Sequence, residues 1–186
     1  MAPLVTPARP RPAVREGLGA VLPLALAVAV FLGLGAYQLQ LPGLHYDEAK
    51  EAGLNAMQLL LGQPVTAFRD ATMQLGSWRI PLMVQDYIGS LNVVLAVPFL
   101  AAGGVNVVAL RWLPLVIAAL TLIATSRIAL RLGGPLAAGV TAVLMAVNPS
   151  FVFWSRQGIF VTNIIALLFM LCLWAGLAAA QMTDYV

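Results

Sequence analysis

The sequence predicts an all-α polytopic membrane protein. Of its 186 residues, 61% are hydrophobic and only 9% are charged, whereas an average soluble domain has about 25% charged residues. Uncharged apolar runs long enough to cross a bilayer recur along the chain, and the charged residues collect at their ends. In such a protein a net charge of +3 reports topology and does not indicate nucleic-acid binding.

The N-terminal part predicts a cytoplasmic tail and a first span. Residues 1–16 are rich in Pro and Arg and have no apolar periodicity, which predicts a disordered basic tail held in the cytoplasm. The remaining residues, 17–186, form the predicted transmembrane domain. Its first span, about 17–41, is longer than the apolar core of a signal peptide, which is about 7–15 residues. It is therefore predicted to be a retained anchor, with the residues that follow it outside the cell membrane.

The first outer loop is predicted to contain an interfacial helix. Polar side chains at Glu48, Glu51 and Asn55 recur every three or four residues, and alanines take another face. A short helix with one apolar face beside a span is expected to lie flat in the membrane interface. The next residues, 65–86, are predicted to be an irregular polar loop.

The uncharged stretch 87–110 is not predicted to span the membrane. Pro98 interrupts it, and its continuous apolar core, Val93 to Ala102, has ten residues. A core of that length is more typical of a re-entrant or interfacial segment.

The later apolar runs predict three more spans. Arg111 and Arg131 are twenty residues apart, which is about 30 Å of helix and one hydrocarbon thickness. Trp112 beside Arg111 indicates anchors at the membrane interface. The predicted spans are about 108–131, 136–153 and 160–180. Four spans place Arg127 and Arg131 inside with the N-terminal arginines, as the positive-inside rule favours, and five spans are the alternative.

Four spans would bring two polar clusters to the outer rim of the bundle. A carboxylate there can take a proton from a hydroxyl, and cations can neutralise a departing phosphate. Asp47 is the candidate base or ligand of a divalent metal such as Mg²⁺ or Mn²⁺. The alternatives are purely structural: Asp47 could be an N-cap, and Arg156 could be an interface anchor. The residues assigned to this rim are His45, Tyr46, Asp47, Glu48, Lys50, Arg79, Asp86, Tyr87 and Arg156.

Cysteine and histidine usage excludes two kinds of site within this chain. It has one Cys and one His. An internal disulfide is therefore impossible, and these residues alone cannot build a His/Cys zinc site.

Several short elements resemble the N-terminal part of GT-C fold glycosyltransferases that use polyprenyl-phosphate sugars. This group includes the protein O-mannosyltransferases and the lipid A aminoarabinose transferase. In family order across residues 18–180, the elements are His45-Tyr46-Asp47-Glu48-Ala49, Arg79-Ile80-Pro81-Leu82, Tyr87-Ile88-Gly89, Leu110-Arg111-Trp112-Leu113-Pro114, Asn148-Pro149-Ser150 and Ser155-Arg156-Gln157-Gly158.

The resemblance implies transfer of a sugar, with mannose one candidate, from a polyprenyl-phosphate donor. The acceptor would be a hydroxyl of a protein, glycan or lipid at the extracytoplasmic face, and the anomeric centre would invert. Asp47 stands at the position of the family's catalytic acid, with Glu48 in support. Lys50, Arg79 and Arg156 would then face the donor phosphate. His45, Tyr46, Asp86 and Tyr87 are candidate substrate contacts.

The chain also departs from the family pattern. Many members carry an Asp a few residues after the Ser-Arg element, where this chain has Ile159 to Asn163 and no acid. Members are much longer, so the resemblance covers their N-terminal part. An inactive or truncated relative is one alternative, and a polytopic membrane protein without enzymatic activity, such as a transporter subunit or scaffold, is another.

Overall fold

The computed structural model describes residues 18–41, 43–157 and 160–183. The predicted basic tail, 1–16, lies outside these ranges. The fold is mostly helical, at 74% of residues. The helices are α1 (Leu18–Ala36), α2 (Tyr46–Glu48), a π-helical turn (Ala49–Gly53), α3 (Leu54–Leu60), a short 3-10 turn (Phe68–Asp70), α4 (Leu91–Gly103), α5 (Val107–Val147), α6 (Pro149–Arg156) and α7 (Phe160–Thr183). The strands are β1 (Thr72–Leu75) and β2 (Trp78–Pro81).

Within the described residues, three helices are long and apolar enough to cross a membrane. Their apolar stretches are Gly19–Ala36 in α1, Val107–Val147 in α5 and Asn163–Ala180 in α7. This confirms an all-α membrane-embedded protein. Helix α4 has 13 residues, or about 20 Å at 1.5 Å per residue, which is shorter than the hydrocarbon core.

Helix α5 folds back on itself at Gly134. The backbone there has φ 78° and ψ −172°, a conformation that is essentially restricted to glycine. The Ser126 hydroxyl donates to the Ala138 carbonyl at 3.2 Å, although residues twelve apart in a straight helix are about 18 Å apart. The first arm (107–133) and the second arm (135–147) are therefore antiparallel, and the predicted boundary between the second and third spans falls at their junction.

Helix α1 packs antiparallel to the first arm. Near the end of α1, Gly35 lies so close to Leu115 that a Cβ atom would meet its side chain at 2.6 Å. Near the start of α1, Ala20 packs with Leu130. Small residues thus allow close contact between two apolar helices. This is usual in lipid, where the hydrophobic effect does not drive helices together and close packing must do so.

The second arm runs parallel to α1 and continues into α6. Pro23 lies beside Gly139, and further along α1 the rings of Phe31 and Phe151 are 5.2 Å apart. Asn148 separates the arm from α6, and its side chain accepts from the Phe151 N–H to cap α6. This region contains the predicted span 136–153.

Helix α7 runs parallel to the first arm. Ile164 shares a buried cluster with Ile117, and the Arg131 guanidinium lies 5.1 Å from the ring centre of Trp174. Apart from Ile164, the apolar stretch of α7 is exposed or half-buried, whereas 67% of the stretch in α5 is buried. Helix α5 is therefore the centre of the bundle, and α7 presents its surface to the surroundings.

The prediction of an irregular loop at 65–86 is wrong. Strands β1 and β2 form an antiparallel hairpin with Leu75 opposite Trp78, and the turn between them contains Gly76 at φ 60°. Apolar residues alternate with polar ones in both strands, which is the signal for a β-hairpin.

The segment 46–60 is helical, but the predicted division of its faces is wrong. We call it the loop helix, since α2, the π-helical turn and α3 follow one another without a break. Its polar side chains Glu48, Glu51 and Asn55 are only 0%, 5% and 2% exposed. They are buried because this face packs towards α4 and α5.

We expect Gly134→Ala to lower the unfolding free energy by about 1–3 kcal/mol, because alanine cannot adopt this conformation without strain. Unfolding by SDS titration in mixed micelles measures the change. Gly176→Ala in α7 is the matched control, since a Cβ atom there meets nothing within 4 Å and alanine favours helix. An unchanged unfolding midpoint for Gly134→Ala would contradict a chain reversal that requires glycine at this position.

Candidate functional site

The centre of the site is a buried ion pair between Glu48 and Arg111. The Arg111 Nε lies 2.8 Å from Glu48 Oε1, and its Nη2 lies 2.8 Å from Oε2. The side chains are 0% and 1% exposed. The His45 backbone N–H also donates to Glu48 Oε2, at 2.7 Å. The Glu48 carboxylate therefore accepts hydrogen bonds from the guanidinium of Arg111 and from the backbone at the start of its own helix. The contact with the guanidinium is bidentate, which is the strong geometry for an arginine–carboxylate pair.

Arg111 also holds the segment that follows α1. Its Nη1 donates to the Leu39 carbonyl at 2.7 Å, and its Nη2 donates to the Gly43 carbonyl at 3.0 Å. One side chain thus joins the end of α1, the loop helix and the start of the first arm. The prediction that Arg111 is an interface anchor is wrong, because its guanidinium turns into the protein.

Arg156 contacts the same segment from the far end of the chain. Its Nη2 donates to the carbonyls of Tyr37 and Gln38, at 2.7 and 2.9 Å. These carbonyls lie just beyond the C-terminus of α1, where a cation is favourable. The Arg156 Nε is buried and has no hydrogen-bond partner among the described residues. The structure therefore brings Arg156 to the same end of the bundle as Glu48 and Arg111.

Asp47 is the accessible acid of the pair. Successive residues of a helix point about 100° apart, so burial of Glu48 turns Asp47 away from the core. Its side chain is 37% exposed, and its Oδ2 lies 3.7 Å from His45 Nδ1. The N-cap is His45, whose Nδ1 accepts from the Asp47 N–H at 3.3 Å. His45 therefore caps the helix, which is the structural role that was the alternative interpretation of Asp47.

The remaining loop candidates gather around Lys50. Its Nζ lies 5.4 Å from the ring centre of Tyr46, and a hydrogen bond with the Tyr46 side chain raises the pKa of Lys50 above its ordinary value. Asp86 and Tyr87 raise this pKa further. A raised pKa keeps the ammonium charged at neutral pH, and the charge is lost only as the pH rises through that value. The exposed tyrosines, at 67% and 78%, flank this cation.

Arg79 is placed differently from the other candidates. It lies exposed on β2, and its Nε donates to the Thr72 hydroxyl at 2.9 Å on the facing strand. Its described contact thus holds it on the hairpin, and a phosphate-binding role for Arg79 stays a prediction.

The predicted metal site would depend on Asp47 alone. Among the described residues, there is no group of three or more His, Cys, Asp or Glu side chains that could hold a metal ion. Glu48 is occupied by Arg111, so Asp47 would supply one carboxylate and leave other positions to water or substrate. Metal binding by Asp47 stays a prediction.

An open groove of about 460 Å³ lies between the second arm, α6 and α7. The Asn163 Nδ2 at its edge is buried and has no hydrogen-bond partner among the described residues. The groove is thus lined by four apolar and four polar residues, and most of its surface is apolar. Its lining residues are Leu144, Met145, Asn148, Ser150, Phe151, Trp154, Ser155 and Asn163.

Sequence reasoning missed the structural role of Arg111. The signal was present, because Arg111 is the only charged residue between Asp86 and Arg127. Ionisable residues at the edge of a span commonly face the bundle and pair with one another. The helical spacing of Glu48, Glu51 and Asn55 indicated one polar face but did not indicate which side of the helix the protein covers.

Comparison of the chain with models of protein families, with curated proteins and with solved structures found no match.

We expect Arg111→Met to lower the unfolding free energy by about 3–5 kcal/mol, because it leaves a buried carboxylate without its cation. Adding Glu48→Leu should restore part of this loss, since an apolar pair can replace a buried ion pair. SDS titration of both variants measures the loss of stability and its partial recovery. Asp47→Asn is the matched control, and as an exposed substitution it should change stability by no more than about 0.5 kcal/mol. A midpoint for Arg111→Met equal to that control would refute the role of the pair.

Proposed function

We propose that this chain is a membrane glycosyltransferase of the GT-C type, or the part of one that carries the acid. It would move a sugar from a polyprenyl-phosphate donor to a hydroxyl acceptor at the extracytoplasmic face. One observation carries the proposal: the accessible acid Asp47 lies at the same end of an apolar bundle as Arg156, which is 109 positions later in the chain. The family resemblance lists the same two residues.

The proposed chemistry uses Asp47 as a general base. Its carboxylate takes the proton of the acceptor hydroxyl while that oxygen attacks the anomeric carbon from the face opposite the phosphate. The bond from the anomeric carbon to the phosphate oxygen breaks, and polyprenyl phosphate leaves. Glu48 does not take part, because both of its oxygens are hydrogen-bonded. The accessibility of Asp47 supports this division of roles.

The proposed phosphate contacts are Arg156 and Lys50. Arg156 is partly buried, and its buried Nε has no hydrogen-bond partner among the described residues. A phosphate oxygen that reached this N–H would supply the missing acceptor. Lys50 is exposed, and because its pKa is raised, its ammonium is fully charged at neutral pH. Both cations would stabilise the negative charge that develops on the leaving phosphate.

The groove beside α6 supports a lipid-linked donor. It begins next to Ser155, the residue before Arg156, and most of its surface is apolar. A prenyl chain could lie in it with its phosphate towards Arg156. This arrangement would leave the sugar at the end of the bundle where Asp47 is exposed.

The proposed topology has four crossings. Helix α1, the first arm, the second arm with α6, and α7 alternate in direction, as the contacts of Gly35, Pro23 and Ile164 indicate. If the N-terminus is cytoplasmic, the turn at Gly134 returns to the cytoplasm. The ends of α1 and α6, together with Asp47, then lie at the outer face of the cell membrane.

We expect Asp47→Asn to reduce sugar transfer by about 10²–10⁴, the usual contribution of a general base. The assay follows release of polyprenyl phosphate from polyprenyl-phosphate mannose, and from other sugar donors, in vesicles that contain the chain and native membrane acceptors. Binding of a photoreactive polyprenyl phosphate should be retained, because Asp47 acts on the acceptor. Asp70→Asn, an exposed acid of the same loop, is the control.

Two results would contradict the proposed function. One is transfer at an unchanged rate in the Asp47→Asn variant. The other is failure of the unsubstituted chain to bind any polyprenyl-phosphate sugar, which would favour a membrane protein without transferase activity.

The topology gives a separate prediction. In a Cys172→Ser background, Leu132→Cys should react with a membrane-impermeant maleimide only after the cells are permeabilised. Ser77→Cys should react in intact cells, because the hairpin lies in the proposed outer loop. Both positions are exposed. Labelling of Leu132→Cys in intact cells would rule out four crossings with a cytoplasmic N-terminus.

A further inference from the structure

The β-hairpin of the first outer loop has one apolar face. Met73 is paired with Ile80, and Leu75 is paired with Trp78. Because side chains alternate across a strand, these four residues share one face of the hairpin. Met73, Leu75 and Trp78 are 47%, 61% and 50% exposed. The face is therefore apolar and largely uncovered by the protein.

The opposite face has polar groups that are hydrogen-bonded within the hairpin, together with Pro81, which is fully buried at the end of β2. Arg79 donates to the Thr72 hydroxyl at 2.9 Å. The Gln74 side chain donates to the Gly76 carbonyl at 2.8 Å. Arg79 is the only charged residue between Asp70 and Asp86. The hairpin is thus amphipathic, with its single charge on the face away from the apolar residues.

Water is an unfavourable environment for such a hairpin. A two-stranded hairpin is marginally stable in water unless a face is packed against something. Exposed apolar side chains that are gathered on one face usually mark a contact surface. Trp78 on that face points to the membrane interface, where tryptophan is enriched because its ring is apolar and its N–H is polar.

The position of the hairpin in the fold is compatible with membrane contact. The backbone pairing continues beyond the strands, from Leu82 N–H to the Ala71 carbonyl at 2.8 Å. Strand β2 packs on α3, and the loop helix packs in turn on the start of the first arm, where Gly53 approaches Leu110. The hairpin is therefore attached, through α3 and the loop helix, to the end of the first arm at which Leu110 lies.

We propose that the β-hairpin 72–81 lies on the bilayer and inserts its apolar face into the boundary between headgroups and acyl chains. Lipid then covers the apolar face of the hairpin. Arg79 on the other face would then point towards water and phosphate groups at the surface. This inference depends on the membrane-embedded fold and is independent of the proposed glycosyltransferase activity.

The test uses the full chain in lipid nanodiscs with Trp78 as its single tryptophan. Substitution of the other three with phenylalanine, as Trp112→Phe, Trp154→Phe and Trp174→Phe, leaves its fluorescence alone. Lipids brominated near the headgroup end of the acyl chain should quench Trp78 strongly, and aqueous iodide should quench it weakly. SDS titration of this variant verifies that it remains folded.

A matched control places tryptophan on the opposite face of the same strand pair. In the same background, Trp78→Phe with Gln74→Trp should be quenched several-fold more by iodide than Trp78 and much less by brominated lipid. Equal iodide quenching at both positions would overturn the proposal. Protection of Trp78 from iodide without quenching by brominated lipid would also overturn it, because the cover would then be protein, such as a second copy of the chain.

Discussion

The buried ion pair between Glu48 and Arg111 is the interaction on which this end of the bundle depends. Removing such charges from water costs several kcal/mol for each ion. The bidentate contact at 2.8 Å and the carbonyls of Leu39 and Gly43 offset that cost. Because the segment after α1, the loop helix and the first arm meet on these two side chains, the pair determines how the loop helix sits on the first arm. The direction of Asp47 follows from that placement.

Two adjacent acids thus acquire different roles from their surroundings. Glu48 is enclosed and neutralised, so it serves structure. Asp47, which is one residue and about 100° away, keeps an accessible carboxylate beside His45. Arg156 reaches the neighbouring carbonyls from α6, so the cation and the free acid share one end of an otherwise apolar bundle. This separation of roles suits acid–base chemistry at a membrane surface better than a pair of equivalent ligands would.

The apolar runs and their flanking charges were sufficient to predict a mostly helical membrane protein and a break between the helical stretches near Gly134. They also indicated that 87–110 is too short in its apolar core to span, and α4 has only 13 residues. They failed for the outer loop. The hairpin 72–81 has only four residues in each strand, and a period of two over so few residues is easily read as irregular chain. The loop helix was predicted, but its polar face was expected to be outside, because a helical period by itself does not say which face is covered.

The sequence by itself therefore determined where the long apolar helices lie and which polar residues are candidates for a site, since both follow from local composition and spacing. Only the tertiary structure decided what each charged residue contacts. The pairing of Glu48 with Arg111 joins positions 63 residues apart, and Arg156 meets Tyr37 across 119 residues. Such contacts depend on the packing of α1, the first arm and α6 against one another, which no local pattern records.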